Sequence, residues 1–392
     1  MNDRTILHID MNNFFASVEC LLNPSLKSYA VAVAGDPNKR TGVILAKNYL
    51  AKVYGVKTGE AIWEAKQKCP SLITVAPHHD KYQEMSERAH KIYEQYTDLI
   101  EPFGIDECWL DVTDSLHLFN CDGVTIAKRI QQHIHDELGL SVSIGISWSK
   151  TLAKLGSDMK KPMGITIIDR NNHIDIIKQL KIQDMIMVGK HIAQKLNKMN
   201  IYTLYDLYMM KPNILSHYFG VIGLHIHNAV SGIDDDQLIT PRDEDTKSVG
   251  NGATAPRDMT TIGEIKCFIH DLSSKISKRL RAHGFRAKTI HLSIKYADFT
   301  YSSAQTTVDH YFSNEQDIFQ YAYNIFISLT GEKFAPVRAL RICTTNLAHK
   351  GDSTQVSLFT NTKNENLCLA IDNLKEKYGD SIITFAKDYK EF

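Results

Sequence analysis

The sequence predicts a multidomain α+β protein, and three observations lead there. A chain of 392 residues is too long for one ordinary hydrophobic core, so two to four domains are expected. Its first part runs strand, insertion, helix, strand, helix, strand, the order of a sheet with helices packed on one face. Charge is also segregated. Residues 234–245 carry six acids against the single base Arg242, and residues 246–349 carry thirteen bases against eight acids. An acidic connector beside a basic domain hides a nucleic-acid footprint inside a net charge of zero.

The elements follow in order. Residues 5–10 read as a short buried strand, and 13–22 as a helix capped by Asn12 or Asn13 and stopped by Pro24. Residues 29–34 and 43–46 read as strands around a turn at 35–42. Helices follow from about Asn48 and over 60–68, closed by Pro70. Met85, Ala89, Ile92, Tyr96 and Leu99 fall at spacings of three and four, which predicts an amphipathic helix over 81–99, ended by Pro102. Next come a strand at 105–113, a helix at 123–137, a strand at 141–147 and a helix at 149–158. Residues 173–231 read as several short helices. Within them Met187-Val188-Gly189-Lys190 forms a basic turn that could offer backbone N–H groups to a phosphate. From 246 to 349 the chain predicts helices at 262–282 and 314–330 and strands at 288–296 and 337–345. These strands alternate polar and apolar residues, as strands with one solvated face do. Residues 350–392 read as a tail with a helix at 364–378 and a strand-like run at 381–385.

Composition narrows the class. The chain is 43% hydrophobic and 23% charged, and its seven cysteines contain no C-x-x-C pair. That argues against a disulfide framework or a zinc site and fits a reducing cytosol, so a cytoplasmic location is expected. No apolar run reaches membrane-spanning length, and the N-terminus lacks a basic start followed by an apolar core.

Three carboxylates stand where strand-like runs meet turns: Asp10, Asp106 and Glu107. Such positions suit ligands of a hard cation such as Mg²⁺, and three converging carboxylates could hold two ions for phosphoryl transfer.

The chain resembles the Y-family of DNA polymerases, which copy damaged templates. The resemblance rests on His8-Ile9-Asp10-Met11-Asn12-Asn13-Phe14-Phe15-Ala16-Ser17-Val18-Glu19 and Ile105-Asp106-Glu107-Cys108-Trp109-Leu110-Asp111. Asn48-Tyr49, Ser143-Ile144-Gly145-Ile146-Ser147 and Lys161-Pro162-Met163-Gly164-Ile165 add to it. It implies a right hand: a palm (1–11 and 77–166) with a mixed sheet and helices, small fingers (12–76), a helical thumb (167–233), a linker (234–245) and an α/β little finger (246–349). It implies a low-fidelity, translesion DNA polymerase without proofreading. Asp10, Asp106 and Glu107 would bind two Mg²⁺, with the Met11 carbonyl completing one site. One ion would activate the primer 3′-hydroxyl and the other would hold the triphosphate. Phe15 would be the steric gate that excludes a ribose 2′-hydroxyl. Phe14, Phe15, Tyr49, Lys52 and Lys161 would contact the deoxynucleoside triphosphate. Lys190, Lys247, Arg257, Lys288, Lys295, Arg338 and Arg341 would face primer-template DNA. Gln355-Val356-Ser357-Leu358-Phe359 resembles the pentapeptide that docks bacterial polymerases on the sliding clamp, through Gln355, Leu358 and Phe359. A monomer with no membrane contact is expected.

The sequence departs from the family pattern at Asn12, Ala46, Lys52, Gly104 and Val188. The family more often has Asp, a hydroxyl residue, Arg, Ser and Gly there. A non-catalytic DNA-binding protein of the same fold is the alternative, and the presence of all three carboxylates counts against it.

Overall fold

Alternation along the first strand decides what each of its faces meets. The computed structural model describes residues 4–36, 40, 42–233, 238 and 246–349, with a few isolated positions beyond. The motif at 355–359 lies outside the described residues, as do most of 234–245 and most of the tail elements expected at 364–378 and 381–385. The chain divides into two compact units, Met1–Pro37 with Gly42–Pro241, and Asn38–Thr41 with Arg242–Phe392.

In the first unit the strands are β1 (Ile6–Met11), β2 (Val31–Ala34), β3 (Ile44–Lys47), β4 (Ile73–Val75), β5 (Ile100–Pro102), β6 (Glu107–Asp111), β7 (Val142–Ser147) and β8 (Ile165–Ile167). Five of them form a sheet in the order β5-β6-β1-β7-β8. Every residue of β1 is buried, and it runs antiparallel to both β6 and β7. Successive side chains of a strand point to opposite faces. Leu7, Ile9 and Met11 join the core built with helices Phe14–Leu22, His79–Tyr93 and Gly123–Leu138. Ile6, His8 and Asp10 point the other way, toward helix Lys150–Met159: Ile6 packs with Ala153, and His8 meets Ser157. The expectation of helices on one face is therefore corrected, since this helix covers the second face. Its approach needs Gly145 in β7, where an added Cβ would lie 1.8 Å from the Ala153 carbonyl oxygen.

The amphipathic helix also ends earlier than its periodicity suggests, at Tyr93. The Thr97 hydroxyl donates to the Asp111 carbonyl at 2.7 Å and accepts from the Leu99 N–H. This turns the chain into edge strand β5, which contains Pro102. Leu99 is left 42% exposed rather than on an apolar helix face.

A second, small sheet has the order β3-β2-β4. Asn48 ties it to the helix Tyr49–Val53. Its Oδ1 accepts from the N–H groups of Ala51 and Val31, and its Nδ2 donates to the Tyr29 carbonyl. The short helices from His173 to Val230 pack around Leu196, Leu204, Leu207, Leu215 and Ile226.

The second unit carries β9 (Ser248–Met259), β10 (Phe285–Tyr296), β11 (Tyr301–Phe312) and β12 (Val337–His349), antiparallel in the order β11-β10-β12-β9. Helices Ile262–Ala282 and Glu315–Thr330 cover one face. Thr261 and Glu264 form a reciprocal capping box at the start of the longer helix. The two central strands are those expected from sequence; the edge strands β9 and β11 are not. The first contains Gly250, Gly252 and Pro256. The second is rich in Ser, Thr and Gln and half open to solvent, so neither has a clear apolar alternation.

Candidate active site

Asp10 and Glu107 are register partners across the β1–β6 ladder. Asp106 precedes β6 in a bend, and its carbonyl accepts from the Met11 N–H at 3.0 Å. Gly104 sits at φ +89° in that bend, a backbone region glycine enters without strain. The glycine at this position thus follows from the turn. The structure brings the three carboxylates together at the end of β1.

Two lysines meet them. Lys161 Nζ lies 2.7 Å from Asp10 Oδ2 and 2.6 Å from Asp158 Oδ1. Lys154 Nζ lies 2.6 Å from Glu107 Oε2. His8 is fully buried, with Nδ1 2.8 Å from Ser157 Oγ and Nε2 3.5 Å from Glu107 Oε2. Burial pushes the Asp10 carboxyl well above its usual range, Lys161 opposes this, and neighbouring Glu107 adds to it. For Glu107 burial also acts upward, but its bonds to His8, Asp10 and Lys154 outweigh it and hold that carboxyl low. Asp106 is raised by burial and by the Glu107 charge. Two carboxylates pressed together cannot both ionise freely without a counter-charge.

Among the described residues no three His, Cys, Asp or Glu side chains already stand as a closed metal-ligand set. The lysines engage the oxygens of Asp10 and Glu107 instead. The donor chemistry nevertheless fits a hard divalent cation: three carboxylates at one strand end, with the Met11 backbone adjacent.

A cavity of about 280 Å³ opens here, lined by Asp10, Met11, Phe14, Phe15, Asp106 and Lys161 on one side and by Leu45, Ala46, Lys47 and Thr58 on the other. Phe14 is buried and Phe15 half-buried. The Phe15 ring stacks on Tyr82, centroids 4.1 Å apart and 12° between planes.

Two residues expected at the nucleotide stand aside from the cavity lining. The Tyr49 hydroxyl is 3.4 Å from Asn12 Oδ1, and Lys52 lies over the Tyr49 ring. Lys47 lines the cavity instead, with Nζ 3.2 Å from Thr58 Oγ1, and burial depresses its pKa. Sequence reasoning missed Lys47 and Thr58 as cavity residues; the run Ile44-Leu45-Ala46-Lys47 does not alternate and gave no local signal for them. Asn12 is a buried brace, accepting from Ser143 Oγ at 2.9 Å and reaching Ser141 Oγ.

Known proteins resemble this chain in sequence and fold. The impB/mucB/samB family matches residues 9–158, and its C-terminal domain matches residues 246–358. A DNA polymerase IV of Acetivibrio thermocellus is 42% identical over 381 residues, covering 96% of this chain and 95% of its own. The chain belongs to the Y-family of DNA polymerases. A DNA polymerase IV of Oceanobacillus iheyensis is 36% identical, covering 99% of this chain and 93% of its own. DNA polymerase IV 1 of Bacillus subtilis is also 36% identical, covering 97% and 92%. A solved Y-family DNA polymerase chimera superposes with a TM-score of 0.79, covering 88% of this chain and 99% of its own, at 24% identity. This Y-family member is a DNA-directed DNA polymerase of the translesion class. Dependence on a divalent metal goes with that membership. Among its described residues no helix is long and apolar enough to cross a membrane.

The sheet of the second unit carries several of the DNA-facing candidates. Arg341 is exposed on β12, opposite Ser293. Lys295 lies over the rings of Phe299 and Tyr301, Arg338 over Phe299, and Lys288 over Tyr311. The Arg257 guanidinium instead pairs with Glu264 at 2.9 Å. Lys247 and Lys190 are exposed, the latter opening helix Lys190–Lys198 behind Gly189.

Proposed function

We propose that this polymerase extends a primer 3′-hydroxyl with two Mg²⁺ held by Asp10, Asp106, Glu107 and the Met11 carbonyl. The observation that carries this is the register pairing of Asp10 with Glu107 beside Asp106, at a cavity that also holds Phe15 and Lys161. Bound there, the ions would lower the pKa of the attacking hydroxyl and neutralise charge growing on the triphosphate. Lys161 and Lys47 flank the cavity as cations for the phosphates. Thr58 supplies a hydroxyl beside Ala46, where the side chain has none. Phe15 forms the wall against the sugar. Tyr49 and Lys52 would add a hydroxyl and a charge for the triphosphate, as the family resemblance implies.

On this reading residues 1–11 and 77–166 are the palm, 12–76 the fingers, 167–233 the thumb and 246–349 the little finger. The exposed basic residues of the 246–349 sheet track the DNA backbone, positioning the duplex without reading sequence. The 355–359 motif docks on the sliding clamp, and the protein acts as a cytoplasmic monomer. Primer extension by the Asp106→Ala/Glu107→Ala variant tests the reading, since normal extension would refute the metal assignment.

A further inference from the structure

Glu19 is a carboxylate with almost no access to water, 4% exposed, on helix Phe14–Leu22. A buried charge is costly unless hydrogen bonds satisfy it. Here they do. The Tyr82 hydroxyl donates to Glu19 Oε1, and His78 Nδ1 lies 2.9 Å from Oε1 and 3.1 Å from Oε2. Tyr82 is itself fully buried, and its ring is the one stacked on Phe15. Phe15 and Glu19 are four residues apart, hence neighbours on one helix face. Tyr82 therefore spans one turn of that helix, with its ring against Phe15 and its hydroxyl on Glu19. The His79 ring meets Phe15 edge-on, with centroids 5.9 Å apart.

We propose that Glu19 and Tyr82 are positioning residues for sugar selection, a brace that holds the Phe15 ring rigid; this rests on reading Phe15 as the gate. The reason is mechanical. A merely apolar pocket rejects an added hydroxyl weakly, by about a hundredfold. Stronger rejection requires a wall that cannot move aside. A stacked ring alone can slide in its plane. A ring pinned through its hydroxyl to a buried carboxylate, itself held by His78, cannot slide without breaking a bond to a charged group.

The test is single-nucleotide insertion by the full-length protein, comparing kcat/KM for deoxy- and ribonucleoside triphosphates. Phe15→Ala, Tyr82→Phe and Glu19→Gln are assayed alongside the parent. Tyr82→Phe keeps the stack and loses the anchor. The deoxy/ribo ratio is expected to fall about tenfold or more in Tyr82→Phe, the scale of one hydrogen bond to a charged group. Glu19→Gln keeps an acceptor oxygen but loses the charge, so its ratio should fall less, and the double variant should fall no further than Tyr82→Phe, since both act on the same link. If Phe15→Ala loses selection while Tyr82→Phe retains the parental ratio, the brace is refuted and the gate stands. If Phe15→Ala itself retains selection, the gate reading fails. Additive losses in the double variant would also overturn the proposal, because Glu19 would then act elsewhere. Should Glu19→Gln fail to fold, as judged by thermal melting, Tyr82→Phe alone decides.

Discussion

Asp10 and Glu107 face each other across one rung of the β1–β6 ladder, and each carries its own lysine, Lys161 and Lys154. Like charges directly opposite in a sheet are destabilising. Both lysines come from the chain after β7: Lys154 from the helix that covers this face, Lys161 from the turn beyond it. The fold thus supplies counter-charge from one stretch of chain, helix and following turn, to carboxylates built by two strands. Divalent cations would take over that role.

Replacing Asp106 and Glu107 by Ala should lower primer extension by about a thousandfold or more, the scale of losing metal-assisted catalysis. Primer-template binding should stay within about threefold, because the backbone contacts lie elsewhere. Extension assays and a mobility-shift titration on the same preparation separate the two. Loss of both together would point to misfolding.

Lys47 and Lys52 give opposite expectations from structure and from sequence. Lys47 lines the cavity, whereas Lys52 lies over Tyr49. Lys47→Ala should raise KM for the incoming nucleotide about tenfold, roughly the worth of one charge-assisted phosphate contact. Lys52→Ala should raise it less. Steady-state kinetics on one template decide it, and a larger effect at Lys52 would favour the sequence reading.

Gly145→Ala should destabilise the protein by about 3 kcal/mol, at the upper end for overpacking. The added carbon would lie 1.8 Å from the Ala153 carbonyl oxygen and 2.5 Å from the Ser157 nitrogen, both backbone atoms that cannot rotate away. The strand or the helix must shift, and Lys154 shifts with the helix. A lower denaturation midpoint is expected, accompanied by reduced extension. An unchanged midpoint would mean that the helix yields without cost.

What was legible in the sequence followed physical rules. The carboxylates were visible because acids at strand ends have no place in a core. The strands 288–296 and 337–345 were visible because they sit in the middle of a sheet and alternate. The edge strands Ser248–Met259 and Tyr301–Phe312 were not, because glycines and Pro256 in one and polar residues in the other leave no clear apolar alternation. The end of the helix at Tyr93 was hidden by Tyr96 and Leu99, which kept the period while Thr97 redirected the backbone. Glu19 closes the first motif, and nothing around it in the sequence marks it as buried. Its burial depends on Tyr82 and His78, some sixty residues away, and no local pattern contains that.

Binding to primer-template should weaken steeply with salt, log K falling by about 0.9 per phosphate contact per unit of log salt. Arg341, exposed on β12, should carry one such contact, so Arg341→Ala should flatten the slope by about one unit. Arg257 already pairs with Glu264, so Arg257→Ala should change the slope less. Equal effects at both positions would mean that this ion pair opens on binding.

Deleting residues 355–359 should leave unassisted synthesis intact and abolish stimulation by a bacterial sliding clamp. Leu358 and Phe359 are adjacent apolar residues in a polar stretch, with Gln355 three positions before Leu358. Short peptides of this kind bind by seating apolar side chains in a pocket while a polar group fixes register. Leu358→Ala/Phe359→Ala should then match the deletion, and Gln355→Ala should lose less. Clamp-loaded primer extension, run beside extension without the clamp, reads both quantities. Stimulation that survives the double substitution would place clamp contact outside this motif.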